Sequence, residues 1–235
     1  LQSTFQVFSF YGDRTPAIIG VILAALFGAV VIGGAHRLVK VTGVLVPVMG
    51  IIYVAISLIV LVLNIGNVPA MFAGIFKNAF DFQAIFGGFA GSCIMFGIKR
   101  GLYSNEAGMG SAPNAAATAD VSHPVKQGLV QMLSVFIDTM LICTATAFMC
   151  LSTNIIPQNY LGADGSADAA GYVQAATAST LGKFGPIFIA FAMCLFAFTT
   201  LIGNYSYCEG CIRFIIQRDI KPGELLAFRL FATAL

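Results

Sequence analysis

The sequence contains few charged residues. Asp, Glu, Lys and Arg together make up 9% of its 235 residues, whereas they make up roughly a quarter of an ordinary soluble domain. Hydrophobic residues make up 58%, and the mean hydropathy is +0.90. A soluble core of this length does not require so much apolar surface. The composition therefore excludes an ordinary soluble domain and indicates a polytopic membrane protein that lies in a lipid bilayer.

Histidines, basic clusters and enzyme motifs are also scarce. The two histidines, His36 and His123, lie far from the C-x-x-C pair Cys208 and Cys211, so this pair lacks the further ligands of a zinc site. The net charge of +2 without a clustered basic face gives no reason to expect a nucleic-acid partner. Metalloprotease, serine-hydrolase, phosphate-loop and dinucleotide motifs are missing, so we do not expect an enzyme.

Long apolar runs predict an all-α membrane helix bundle, because about 20 apolar residues cross the hydrocarbon core. The predicted spans cover residues 17–34, 41–64, 82–98, 127–151 and 186–216, and a further span begins near 224. Shorter helices are predicted at 68–80 and 167–181. The chain begins without Met and ends inside an apolar run. We therefore expect residues 1–235 to form a partial transmembrane domain of a longer protein.

The basic residues predict the orientation of these spans. With the spans above, nine of the 12 Lys and Arg residues lie on one side of the membrane, the bias that marks the cytoplasmic side. These nine are Arg37, Lys40, Lys99, Arg100, Lys126, Arg213, Arg218, Lys221 and Arg229. The loop at 99–126 is accordingly expected in the cytoplasm and the loop at 152–185 outside.

The third predicted span contains Gly87, Gly88 and Gly91, followed by Ser92. The G-x-x-x-G spacing allows two helices to approach each other closely. The same glycines would also allow the backbone to unwind at the bilayer midplane, where freed N–H and C=O groups can bind a carboxylate, an ammonium group or Na⁺. The residues leave both interpretations open.

Adjacent hydroxyls in the fifth predicted span, at Thr199 and Thr200, are candidate ligands for a cation. Hydroxyl and carbonyl oxygens are suitable ligands for a hard cation such as Na⁺. Threonine hydroxyls inside a helix also commonly bond to the carbonyl four residues earlier, and this alternative explains one threonine well. Asn204 and Ser206 add further oxygen atoms downstream.

Asp138 is the one acid deep inside a predicted span. A buried acid is costly and marks either function or a paired structural role. We favour a hydrogen bond between helices over a proton relay, because Asp138 is a single acid and no basic partner lies deep inside the spans.

A polar, glycine-rich loop at 101–114 connects two apolar spans. Ser104, Asn105 and Glu106 are suited to capping the N-terminus of the next helix. A cytoplasmic gate is the alternative, with Glu106 pairing reversibly with Lys99 or Arg100. Arg100, Asn105, Glu106 and Asp138 are therefore the gate candidates.

The run RGLYSNEAGMGSAPNAAATA at residues 100–119 resembles the signature of the alanine or glycine:cation symporter family, also called sodium:alanine symporters. The resemblance continues through HPVKQGLV at 123–130 and VFIDT at 135–139. It also includes LFAFTT at 195–200 and GGAHRLVKVT at 33–42. These blocks extend over most of the chain.

The resemblance implies the leucine-transporter fold, in which two inverted five-helix repeats form the core. The predicted spans would be core helices four to eight and the start of helix nine. Helix six of that fold is broken, as expected at Gly87, Gly88 and Gly91, and helix eight carries a sodium site, as expected at Thr199 and Thr200.

The resemblance also implies a function, which is co-transport of sodium with a small neutral amino acid, alanine or glycine, across a prokaryotic cytoplasmic membrane. Backbone groups at Gly87, Gly88, Gly91 and Ser92 would contact the substrate. Met95 and Phe96 would shape its side-chain pocket, and Phe96 occupies a position where relatives often have Gln. The alternatives are a proton-coupled transporter that uses Asp138 and a membrane protein that does not transport.

Overall fold

A computed structural model describes residues 2–8, 11–80, 88–106, 108–153, 155–160, 168–217 and 221–234. All regular secondary structure within these ranges is helical. The helices are α1 Gln2–Phe5, α2 Thr15–Val31, α3 Gly34–Leu63, α4 Val68–Ala79, α5 Gly88–Ser104, α6 Ser111–Ala116, α7 Pro124–Ile137, α8 Thr144–Leu151, α9 Ala169–Leu181, α10 Phe184–Ile216 and α11 Pro222–Ala234. A π-helical segment, Asp138–Cys143, joins α7 to α8.

Three helical stretches in the described part of the chain are long and apolar enough to cross a membrane. They are Arg37–Leu63, Pro124–Leu151 and Phe184–Ile216, with 27, 28 and 33 residues. They coincide with the second, fourth and fifth predicted spans. The first predicted span corresponds to α2, an apolar helix of 17 residues. The third overlaps α5, but its first residues lie outside the described ranges, so its assignment as a span stays a prediction.

The two short predicted helices also form. Helix α4 begins at Val68, directly before a proline, whose missing N–H costs nothing in the first turn of a helix. Helix α9 begins after Asp168, whose carboxylate oxygen Oδ1 accepts a hydrogen bond from the Gly171 N–H at 3.0 Å. That cap satisfies one of the free N–H groups at the helix start.

Helix α10 is the central element of the described structure, because both hydrophobic clusters contain its side chains. One cluster joins it to α3 and α8 and consists of Tyr53, Val60, Met149, Phe188, Ile189 and Ala192. The other joins it to α2 and consists of Phe27, Val30, Val31, Ile202 and Tyr205. With 33 residues, α10 is about 50 Å long. It is therefore longer than the hydrocarbon core, which is about 30 Å thick.

Helices α9 and α10 meet closely at Gly185. A Cβ atom added there would lie 2.5 Å from the backbone carbon of Thr177 and 2.6 Å from its carbonyl oxygen. Backbone atoms of a helix cannot move aside cheaply, so Gly185→Ala is expected to destabilise the protein by about 1–3 kcal/mol. Thermal unfolding of the purified protein in detergent measures this loss. In the same helix, an added Cβ at Gly203 meets no described atom within 4 Å. Gly203→Ala is the matched control, and equal unfolding temperatures for the two variants would contradict the packing argument.

Candidate functional site

A polar cavity of about 210 Å³ lies where the end of α5 meets α6, α7 and α10. Three of the four gate candidates, Asn105, Glu106 and Asp138, line it, although Asp138 lies more than 30 residues further along the chain. The other lining residues are Ser104, Ala112, Ala115, Gln131, Ser134, Val135 and Tyr207. Most of these side chains carry oxygen atoms, so the cavity is suited to water and cations.

Hydrogen bonds connect the end of α5 to the π-helical segment. The Ser104 hydroxyl donates to Oδ2 of Asp138 at 2.9 Å. The Thr139 hydroxyl donates to the side-chain oxygen of Asn105, also at 2.9 Å. The hydrogen bond between helices that was expected at Asp138 is thereby present. The position of Asp138 at the first residue of a π-helix is notable because π-helical turns occur frequently at functional sites.

The expectation that Ser104, Asn105 and Glu106 cap the start of a helix is wrong. Helix α5 runs through Ser104, so these residues lie at a helix C-terminus. The Asn105 side chain donates to the carbonyl oxygen of Gly101 at 3.1 Å, and the same carbonyl oxygen accepts from the Asn105 backbone N–H at 3.2 Å. The next helix, α6, begins after Gly110, and no side chain caps it.

Glu106 has a left-handed backbone with a φ of 50°. A side chain makes this conformation costly, by roughly 1–2 kcal/mol. Gly108 and Gly110, with φ values of 78° and 83°, continue the left-handed turns at no such cost. Residues held in this way cluster at ligand clamps and switch regions. The backbone at Glu106 is therefore consistent with a gate.

The cavity carries two carboxylates, those of Glu106 and Asp138, and no Lys or Arg is among its lining residues. Arg100 lies in α5 with an exposed side chain and does not line the cavity. Among the described residues, Glu106 forms no ion pair with Lys99 or Arg100. The expected salt bridge is therefore not formed in this conformation, and the potential of the cavity favours a cation.

Thr199 and Thr200 lie near the middle of α10. The Thr199 hydroxyl donates to the carbonyl oxygens of Leu195 and Phe196, both at 3.0 Å. The Thr200 hydroxyl donates to Phe196 at 2.8 Å. Both hydroxyls thus bond to their own helix, yet the lone pairs of each oxygen remain able to face a cation. Tyr207, which lines the polar cavity, lies about 12 Å further along the same helix than Thr199.

The substrate candidates lie at the start of α5. Helix α5 begins at Gly88, so Gly88, Gly91 and Ser92 are helical, and the prediction that the backbone unwinds at these residues is wrong. Gly87 lies outside the described residues. Met95 is 46% exposed. Phe96 also belongs to α5, and its side chain is outside the description.

Two features of the structure were missed by the sequence reasoning. No local signal indicates the π-helical segment. A cluster around the buried Glu209 was also missed, although Tyr205, Glu209 and Arg213 follow one another at intervals of four residues. This spacing places them on one helix face.

Comparison with known proteins identifies relatives along the whole chain. The model of the sodium:alanine symporter family matches residues 2–235. The amino-acid carrier protein AlsT of Bacillus subtilis is 48% identical over 84% of this chain and 41% of its own length. The sodium/proton-dependent alanine carrier protein of Bacillus sp. PS3 is 38% identical over 91% of this chain and 50% of its own. The sodium/alanine symporter AgcS of Methanococcus maripaludis is 38% identical over 86% of this chain and 44% of its own length. The chain thus spans about half the length of these relatives.

Proposed function

This chain belongs to the sodium:alanine symporter family, and we propose that it serves in a secondary transporter that couples Na⁺ entry to the uptake of a small neutral amino acid. Alanine and glycine are the proposed substrates, and the prokaryotic cytoplasmic membrane is the proposed location. The names of relatives such as the sodium/alanine symporter AgcS support this choice of ion and substrate.

One observation carries the proposal most strongly, namely the paired hydroxyls of Thr199 and Thr200 in the long apolar helix α10. Hydroxyl oxygens offer a cation partial negative charge without placing a fixed charge in the bilayer, which would be costly. Carbonyl oxygens from a second helix would complete the coordination of Na⁺. We propose the leucine-transporter arrangement for the whole protein, with α2, α3, α5, Pro124–Leu151 and α10 as core helices four to eight and α11 as the start of helix nine.

The start of α5 is the proposed substrate site. The first turn of any helix leaves four backbone N–H groups without partners inside the helix, and the helix dipole favours an anion there. The N–H groups of this first turn, which runs from Gly88 to Gly91, would meet the carboxylate of the amino acid, with Gly87 as a further proposed contact. The Ser92 N–H lies beyond this turn, so Ser92 is not a proposed contact. Met95 and Phe96 lie in the next turn of the helix and would limit the size of the substrate side chain.

The polar cavity is the proposed cytoplasmic gate. Ser104 and Asn105 connect the end of α5 to Asp138 and Thr139 by hydrogen bonds, and Glu106 adds a negative charge to the lining of the cavity. Binding of Na⁺ and substrate would shift the equilibrium between inward and outward states, because each ligand binds one state more tightly.

Neutralising the carboxylate at the gate is expected to change this equilibrium. With Glu106→Gln, the rate at which a membrane-impermeant thiol reagent labels a cysteine introduced at Ala112 should change about two- to fivefold, the range for one partly exposed charge. Inside-out vesicles present this cytoplasmic cavity to the reagent, and the same vesicles without the Ala112 substitution give the background from native cysteines. Asp120→Asn is the matched control, because Asp120 is exposed in the same loop and does not line the cavity. Equal labelling rates of the introduced cysteine with Glu106 and with Glu106→Gln would show that Glu106 is not part of the gate.

A second coupling mode is favoured by a specific observation. Asp138 faces the polar cavity, and the name of one relative specifies sodium/proton-dependent transport of alanine. Asp138 would then carry a proton between the cavity and the bilayer interior.

Binding of labelled alanine and glycine to the purified full-length protein tests the proposed function. The protein is titrated with each amino acid in NaCl and in KCl at equal pH and ionic strength. Binding that requires Na⁺ is the expected result. Equal binding in the two salts would refute coupling to sodium at the binding step. Saturable binding of neither amino acid would refute the proposed substrates.

A further inference from the structure

Glu209 is a buried carboxylate in the second half of α10, with 8% of the residue exposed. The Tyr205 hydroxyl donates to its Oε2 at 2.6 Å, and the Arg213 Nη2 group donates to its Oε1 at 2.7 Å. Arg229 of α11 approaches Oε2 to within 3.9 Å. A buried charge is tolerated only when it is paired and hydrogen-bonded, and Glu209 meets both conditions.

Arg229 connects three helices. Its Nε group donates to the Tyr205 hydroxyl of α10 at 3.4 Å. Its Nη1 group donates to the carbonyl oxygen of Ile32, directly after the end of α2, also at 3.4 Å. The last carbonyls of a helix lack partners and attract cations. The guanidinium, on a side chain only 14% exposed, therefore holds the corner between α2 and α3 against α10.

Aromatic packing surrounds this contact. Phe27 of α2 packs edge-on against Tyr205 with ring centres 5.9 Å apart, and Phe228 of α11 stacks on Tyr205 at 5.6 Å. Ile202, fully buried, lies one turn before Tyr205 and one turn after Thr199. A displacement of α2 or α11 at Tyr205 is thus transmitted through packed side chains to the turn that carries the threonines.

Arg213 and Arg229 differ in what they connect. Arg213 makes the shorter contact with Glu209, but its side chain is 53% exposed and both partners belong to α10. Arg229 makes the longer contact and ties α10 to α11 and to the end of α2. By distance alone, Arg213 is the stronger partner of Glu209. Arg229 is the more important of the two for holding α10 in place, because it is the one that connects α10 to other helices.

We propose that Arg229, acting with Glu209 and Tyr205, is a positioning residue that fixes α10 against the α2–α3 corner and thereby sets the geometry of the sodium site. The inference rests on the proposed sodium ligands Thr199 and Thr200. When Arg229 is removed, Glu209 keeps Arg213 and Tyr205 as partners, so its charge is still compensated. What is lost is the attachment of α10 to α2 and α11.

The test compares Arg229→Met with Arg213→Met in the full-length protein reconstituted in vesicles. Arg229→Met is expected to raise the Na⁺ concentration for half-maximal alanine uptake by at least about fivefold, the lower end of typical coupling between linked sites. The maximal rate per inserted molecule should stay within about twofold of that of the unaltered protein. Arg213→Met should leave both quantities unchanged. Arg229→Lys keeps the charge but cannot reach three acceptors at once, so it should show an intermediate shift.

A second readout separates this inference from the proposed function. Amide hydrogen exchange at residues 32–38 should become faster in Arg229→Met than in Arg213→Met, whether or not the protein transports sodium. Faster exchange with an unchanged Na⁺ requirement would overturn the positioning role and leave only a structural one. Identical exchange and identical Na⁺ dependence in the two variants would overturn the inference altogether. If alanine uptake by the unaltered protein does not depend on Na⁺, the proposed function on which the inference rests is refuted. If Arg229→Met does not insert into the membrane, the milder Arg229→Lys is compared with Arg213→Met in its place, by the same two measurements.

Discussion

Replacement of both Thr199 and Thr200 by valine is expected to abolish the stimulation of amino-acid uptake by Na⁺. Valine keeps the shape of threonine, and among the described residues the lost hydroxyls bond only to carbonyl oxygens of α10 itself, so the helix should remain intact. We expect the single variants each to raise the Na⁺ concentration for half-maximal uptake by about tenfold or more, which corresponds to about 1.4 kcal/mol. Uptake of labelled alanine at graded Na⁺ concentrations, normalised to the amount of inserted protein, measures the effect.

Thr42→Val is the matched control for this prediction. The Thr42 hydroxyl makes the same kind of bond within its own helix, α3, to Leu38 at 3.0 Å and to Val39 at 3.3 Å. Its loss should leave the Na⁺ dependence unchanged. Full Na⁺ stimulation in the double threonine variant would disprove the assignment of Thr199 and Thr200 as sodium ligands.

Asp138 is expected to tolerate asparagine but not leucine. Asparagine keeps an oxygen that accepts the hydrogen bond from Ser104. Leucine leaves that hydroxyl with the weaker contact to the Cys143 sulfur at 3.5 Å and removes one of the hydrogen bonds between α5 and the π-helical segment. A hydrogen bond contributes about 0.5–1.5 kcal/mol, so Asp138→Leu should reduce uptake about two- to tenfold. Asp138→Asn should retain Na⁺-dependent uptake with an unchanged pH profile.

The opposite pattern would support coupling to protons. If Asp138→Asn abolishes the pH dependence of uptake, and the unaltered protein does not require Na⁺, then Asp138 carries a proton and the sodium assignment is wrong. Ser104→Ala provides the matched control, because it removes the same hydrogen bond from the other side. Under the structural interpretation, Ser104→Ala should weaken uptake and keep its pH profile.

The positions of the long helices were predictable from the sequence because apolar runs determine which segments enter a bilayer. Their ends were less predictable, because a helix does not stop where apolar residues stop. Helix α3 begins at Gly34 and includes Arg37 and Lys40, although the predicted span begins at 41. Helix α5 continues past Lys99 and Arg100 to Ser104. Charged side chains near a helix end can extend toward the interface while the backbone remains helical.

The candidate site was predictable as a set of residues but not as an arrangement. The loop at 101–114 and Asp138 were identified separately, and the structure brings Asn105, Glu106 and Asp138 to one cavity. The contact depends on the π-helical segment, which changes the direction of side chains and follows from tertiary packing. Arg229 was noted only as a basic residue, because its partner Glu209 lies 20 residues away in a different helix.

The most direct test of the central claim is uptake of labelled alanine by vesicles that contain the full-length protein, with an inward Na⁺ gradient. Equal pH on both sides and a clamped membrane potential leave the Na⁺ gradient as the only driving force. We predict transient accumulation of alanine above its external concentration, followed by decay as the gradient dissipates, and no accumulation when K⁺ replaces Na⁺. Accumulation that persists in K⁺, or that appears only with an imposed proton gradient, would contradict sodium-coupled symport.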